Sequence, residues 1–284
     1  MKKFLRDTLT TAVFAGMLVC VISMIPYNTV EANNYSYKSH YMDTHAGDIR
    51  VLLLGNSLFE YGFNPHVVGD SVFDLATSAR YIHYDVELAK RYLPRMEHLE
   101  CVIYPLGLPE GYKERFKGPC MRDHYRYMHL DPPNEWKHLA ASVEWDQRFH
   151  YKNFQRGRLC DSLGYQSMGT GVTGGRGVIV IDSLSASLNE AYLVEMAKCC
   201  ANRGVRFVVV TPPCNTSLMV WEENEVKNIL LQMMESVNRQ YPAEYISYLD
   251  DDRFQADSLY YDAEHLNHTG ATLFAQQVKE DLGL

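Results

Sequence analysis

The feature that most constrains the fold is a short run with no polar residue, Val51-Leu52-Leu53-Leu54, that ends on Gly55-Asn56-Ser57. A strand with one wet face alternates apolar and polar residues. A strand that is apolar on both sides is buried on both sides, as in a parallel sheet covered above and below by helices. Further short strand candidates are Val72-Phe73-Asp74-Leu75, Cys101 to Tyr104, Val205 to Val210 and Tyr245 to Leu249. Between them lie stretches with helical spacing. Tyr81 to Tyr92 is one, with Ile82, Val86 and Ala89 on one face and Pro94 beyond its end. Leu188 to Ala201 is another, stopped by Asn202-Arg203-Gly204, and Glu222 to Gln240 and Thr269 to Leu282 follow. Strands alternating with helices predict an α/β domain built on a parallel sheet covered on both faces. Ligands bind at the carboxyl ends of the strands in such sheets, which is where Ser57 stands.

The N-terminus reads differently. Lys2, Lys3 and Arg6 precede an uncharged, mostly apolar run from Leu9 to Ile25. A basic flank before such a run fits a membrane anchor or a secretory signal, with Val30-Glu31-Ala32 as a small-residue cleavage site. Both send the remainder across the membrane, because the basic residues stay inside. A buried soluble helix is disfavoured, since no polar face appears in the run. Residues 1–32 are therefore expected to form a transmembrane anchor or signal. The polar, tyrosine-rich residues 33–48 are expected to form a linker, and residues 49–284 the α/β domain. Periodicity fades over about 107–177, which reads as an insertion with helices near Trp136 to Phe149.

Several function classes are excluded. The net charge is -8 and no Lys/Arg stripe exists to neutralise phosphates, so nucleic acid is not an expected partner. Seven cysteines without CxxC spacing oppose a zinc site or a disulfide framework; Cys120 and Cys160 form a bridge only if the compartment is oxidising. Gly169 to Gly174 matches G-x-G-x-x-G but follows no strand and opens no helix, so it reads as a loop. Asp250-Asp251-Asp252 lacks the glycine and glutamate of a calcium loop and reads as a solvated turn. His124 and His129 lack the zinc-helix arrangement and read as loop residues, with substrate contact as the alternative. Asp182-Ser183 also follows an apolar run and is a weaker rival to Ser57.

A serine hydroxyl needs a base to become a nucleophile. The candidate base lies near the other end of the chain, in Tyr261-Asp262-Ala263-Glu264-His265-Leu266-Asn267. With Asp262 three residues before His265, a carboxylate in the same turn holds the far imidazole nitrogen while the near one faces the serine.

Strand-Gly-Asn-Ser together with Asp-x-x-His, at opposite ends of a βα domain, resembles the SGNH (GDSL-like) hydrolase and acyltransferase superfamily. The resemblance spans about residues 48–284 and implies a three-layer, flavodoxin-like, doubly wound parallel sheet. It implies Ser57 as nucleophile, His265 as base and Asp262 as its orienting acid, with no metal or organic cofactor. "GNSLFEYGFNP", "DLATSARYIHYDVELAKRYL" and the His-Leu-Asn-x-x-Gly ending resemble membrane-anchored members associated with cell-envelope polysaccharides. Those features imply an extracytoplasmic esterase or O-acyltransferase acting on an acylated surface glycan or a small acyl ester. The chain departs from the family after the third strand, where Tyr104-Pro105-Leu106-Gly107-Leu108 lacks the usual asparagine. Oxyanion and substrate contacts are then expected from the Ser57 N–H, the N–H groups of Ala76 to Ser78, the Asn56 side chain and Asn267. Loss of one oxyanion donor costs about 2.7–4 kcal/mol, so an inactive SGNH-like module that binds glycan or protein partners is the alternative.

Overall fold

The computed structural model describes residues 2–24, 33–107, 123–124, 127–130, 158–172, 174–178 and 183–284. The cleavage site at Val30 to Ala32, the helices near Trp136 to Phe149, Cys120 and Asp182 lie outside those residues.

Seven strands are described: β1 (Val51–Leu53), β2 (Val72–Asp74), β3 (Cys101–Pro105), β4 (Gly177–Val178), β5 (Arg206–Thr211), β6 (Met219–Val220) and β7 (Glu244–Ser247). The α-helices are α1 (Lys2–Met24), α2 (Asn34–His45), α3 (Ser57–Glu60), α4 (Ile82–Tyr92), α5 (Ser183–Ala201), α6 (Glu223–Asn238) and α7 (His268–Leu282). Five strands form the main sheet in the order β2-β1-β3-β5-β7, and every pairing in it is parallel. Without the small β4–β6 pair, this is the flavodoxin-like order. β1 lies between β2 and β3, with Leu52 opposite both Phe73 and Val102.

The alternation of side chains along each strand builds two cores. Leu52, Phe73, Val102 and Val209 face one side and pack with residues of α2, α4, α5 and α6. Val51, Leu53, Ile103, Val208 and Val210 face the other and pack with Phe59 of α3 and Phe274 of α7. The apolar runs are apolar on both sides because each strand feeds both cores.

Two N-terminal expectations change. Among the described residues no helix is long and apolar enough to cross a membrane, which corrects the transmembrane helix expected over Leu9 to Ile25. The helix starts at Lys2, so Lys3, Arg6 and Asp7 occupy its first turns. Thr8, Thr10 and Thr11 then bond back to the carbonyls of Phe4, Arg6 and Asp7, and these charges and hydroxyls dilute the apolar residues that follow.

The second correction concerns residues 33–48, which are no linker but mostly the helix α2. Asn33 caps it: its side chain accepts the Ser36 N–H, and the Ser36 hydroxyl accepts the Asn33 N–H. The helix buries Tyr35 and Met42 together with Asn34, Ser36, Lys38 and Ser39. Its Tyr41 ring stacks on Phe73 of β2 at 4.0 Å between centroids.

Because Met42 has no solvent exposure, Met42→Ala is expected to lower the unfolding free energy by about 2–5 kcal/mol. Urea denaturation reads this directly. A shift near zero would mean that α2 is not packed as part of the domain.

Candidate active site

β1 ends where the chain must turn towards α3. Gly55 makes the turn at φ 113°, a conformation that glycine reaches without strain. A Cβ there would lie 2.4 Å from the Pro105 ring, so the close approach of β3 independently requires glycine. Asn56 caps α3 through its Oδ1, which accepts the Leu58 N–H at 3.0 Å. Ser57 is then the first residue of the helix, at the carboxyl end of the sheet.

The loop before α7 supplies the other half. A bridge between Tyr260 and Leu266 closes it, and the Tyr261 N–H bonds the His265 carbonyl at 2.8 Å. Asp262 Oδ1 accepts the N–H groups of Glu264 and His265, at 2.9 and 2.8 Å, which folds the loop tightly around the carboxylate. His265 Nδ1 lies 3.0 Å from both carboxylate oxygens of Asp262, and Nε2 lies 2.9 Å from Ser57 Oγ. With Nδ1 against a carboxylate, that nitrogen carries the proton, and Nε2 is left to accept from the serine. Partial burial raises the Asp262 pKa, but the His265 hydrogen bond and the two N–H groups outweigh it and hold the carboxyl below its usual value. The structure thus brings Ser57, His265 and Asp262 into one hydrogen-bonded line.

The remaining expected contacts separate. Asn56 lines the same cavity as Ser57, of about 160 Å³, together with Leu58, Ala79, Tyr81 and Gly107. The Ala76 N–H, however, donates to Asp74 Oδ1 at 2.8 Å, and the Ser78 N–H to Glu60 Oε2 at 2.6 Å. Neither is available to an oxyanion, which corrects that expectation. Asn267 is corrected too: it is buried, caps α7 by accepting the Thr269 and Gly270 N–H groups, and donates to the Ser258 carbonyl. It builds the loop and does not face substrate. His124 is not a surface residue; it is buried, accepts from Arg80 Nε at 2.8 Å, and stacks on Tyr84. Cys160 is a free, buried thiol.

Three participants were not singled out as site residues, although all lie in the segment Asp74 to Leu93 that carries the resemblance. Asp85 Oδ1 accepts the Gly55 N–H at 3.2 Å and the Arg80 guanidinium at 3.1 Å, tying the turn before Ser57 to α4. Arg80 also donates to the Leu75 carbonyl at 2.7 Å and is itself buried. Ala79, at φ 56°, stands in the left-handed region on the cavity wall, where an alanine is unexpected. Burial pushes the Asp85 carboxyl up to about 6, against the opposing pull of Arg80 and the Gly55 N–H. Burial pushes Asp74 up to about 7; Lys38 opposes the rise and Glu60 adds to it.

No protein-family model matches the sequence, and no curated protein matches it. Among solved structures, one from Streptococcus pneumonia, provisionally described as a platelet activating factor, is 10% identical with a TM-score of 0.51, over 88% of this chain and 91% of that one. A GDSL-like lipase from Bacteroides thetaiotaomicron is 8% identical with a TM-score of 0.41, over 87% of this chain and 99% of that one. The first of these likenesses is one of fold: a parallel α/β sheet, here with Ser57 after β1 and with Asp262 and His265 before the last helix.

Asp74 and Asp85 titrate above the unfolded carboxyl value of about 3.9. Between about pH 4 and 7 the folded state therefore binds more protons than the unfolded state, and stability falls as pH rises through that window. Asp74→Asn removes one of these titrations. The slope of unfolding free energy against pH is expected to become shallower between about pH 5 and 7, measured by denaturant titration at each pH. An unchanged slope would show that Asp74 takes up no proton there.

Proposed function

We propose that the protein is a serine esterase of the SGNH (GDSL-like) kind, with Ser57, His265 and Asp262 in one bonded line. The observation that carries this reading is His265 Nε2 at 2.9 Å from Ser57 Oγ, with Nδ1 held by Asp262. In the reaction Ser57 Oγ attacks the carbonyl carbon of an acyl ester while His265 Nε2 takes its proton. Asp262 stays ionised and stabilises the imidazolium. The negative charge that develops on the carbonyl oxygen is met by the Ser57 N–H and the Asn56 side-chain amide. The Asn56 Oδ1 is already committed to capping α3, so it is the Nδ2 that donates. The C–O bond to the alcohol breaks, and His265 returns the proton to that leaving oxygen. The acyl group is now on Ser57, and a second hydroxyl compound attacks it with His265 again as base. Water completes hydrolysis; a sugar hydroxyl completes acyl transfer.

The cavity supports an acylated glycan as substrate. Leu58, Ile82, Leu106, Pro212 and Pro213 offer apolar surface for an acyl chain, while Tyr81 and Asn189 offer a ring face and an amide to a sugar. A site beyond a membrane is part of this reading, from the basic Lys2, Lys3 and Arg6 ahead of an apolar run, the arrangement of a secretory signal. The second reading, a non-catalytic binding module, is favoured by the committed Ala76 and Ser78 N–H groups and by the missing asparagine after β3.

A fluorophosphonate probe decides between the two. The wild type is expected to label and to hydrolyse p-nitrophenyl acetate, and Ser57→Ala to do neither. Asp262→Asn is expected to lower kcat by about 10⁴-fold, because the imidazole loses its correct tautomer. A folded wild-type protein that does not label leaves the binding-module reading standing.

A further inference from the structure

We propose that Lys38, on the helix preceding the sheet, is a positioning residue for the Ser57 reaction, acting through Glu60 and Ser78 on the loop that runs into the Ser57 cavity. This inference rests on the esterase reading and concerns the same site.

Lys38 has no solvent exposure and neither has Asp74, and Glu60 is nearly buried. Lys38 Nζ donates to the Ala76 carbonyl and lies 3.6 Å from Asp74 Oδ2 and 4.0 Å from Glu60 Oε1. Asp74 Oδ2 has no hydrogen-bond partner among the described residues, so the ammonium is what faces it. A buried charge without a partner is expensive, and two carboxylates sharing one site repel. Lys38 therefore holds three things at once: a carbonyl and two acidic side chains that would otherwise drive the loop apart.

Glu60 passes this constraint on. It ends the helix that Ser57 begins. Its Oε1 accepts from Asn34 Nδ2 at 3.1 Å, and its Oε2 accepts from the Ser78 N–H at 2.6 Å. Ser78 Oγ lies 2.5 Å from both Glu60 Oε2 and the Tyr61 hydroxyl. The Tyr61 ring packs edge-on against His265 at 5.8 Å between centroids. Next along the same loop, Ala79 and Arg80 line the same cavity as Ser57. One network, buried at Lys38 and Glu60 and half-buried at Ser78 and Tyr61, thus joins α2 to the serine's helix, to the cavity wall and to the ring beside the base. Lys38 and Glu60 do not line that cavity, so their loss acts on geometry and leaves substrate affinity in place. A displacement of about 1 Å from a residue remote from the chemistry can cost about 100-fold in rate.

The test compares wild type, Lys38→Met and Ser78→Ala by steady-state hydrolysis of p-nitrophenyl acetate. Active sites are counted by fluorophosphonate labelling taken to completion, so that misfolded molecules drop out of the rate. Lys38→Met keeps the stem and removes the charge, and kcat per labelled serine is expected to fall about 10- to 100-fold with KM within about twofold of wild type. Ser78→Ala leaves every buried charge in place and is expected to lower kcat severalfold with KM unchanged. It decides the matter if Lys38→Met does not fold. Wild-type kcat per labelled serine in the variants that fold overturns the positioning role while the esterase reading stands. A wild type that neither labels nor hydrolyses overturns both.

Discussion

The turn at Gly55 is the constraint from which the rest of the site follows. Pro105 closes the space where a side chain would go, so β1 and β3 approach closely just where the chain must leave the sheet. The Gly55 N–H is held by Asp85, and its carbonyl accepts the Thr77 N–H at 3.1 Å. The same residue therefore ties β1 to α4 and to the loop after β2. Ser57 follows two residues later, first in a short helix capped by Asn56, with its hydroxyl on His265.

Around this turn the protein places an unusual amount of charge out of water. Arg80 with Asp85, and Lys38 with Asp74 and Glu60, are all buried. Such pairs seldom add stability over an apolar core of the same shape, but breaking one member is strongly destabilising. Burial raises both Asp74 and Asp85 above ordinary carboxyls, which shows how incompletely the cations offset desolvation. The return on this arrangement is directional: each charge holds a specific carbonyl or N–H in the loops around Ser57, which apolar packing cannot do.

Much of the fold was legible because its signal was local. Val51 to Leu54 and Phe207 to Val210 are apolar on both faces, and the structure puts them between two cores. Ile82, Val86 and Ala89 recur at helical spacing, and they bury one face of α4. The segment 33–48 was not legible. Its helix buries Asn34, Ser36, Lys38 and Ser39, so the apolar periodicity that announces a helix is absent, and a polar stretch reads as a linker. The oxyanion contacts failed for a related reason. Glu60, which takes the Ser78 N–H, lies 18 residues away, and Asp74, which takes the Ala76 N–H two residues on, reads in the sequence as part of a strand.

The sequence by itself singled out the three residues that meet at the candidate site. A serine at the end of a buried strand, and an aspartate three residues before a histidine, follow from spacing alone, because a turn's own geometry brings Asp262 onto His265 Nδ1. Only the tertiary structure decided what surrounds them. Lys38 meets Glu60 and Asp74, and Arg80 meets His124, across long separations in the chain. Such pairings obey no period; they are settled when the helices close on the sheet and each buried polar group must find a partner.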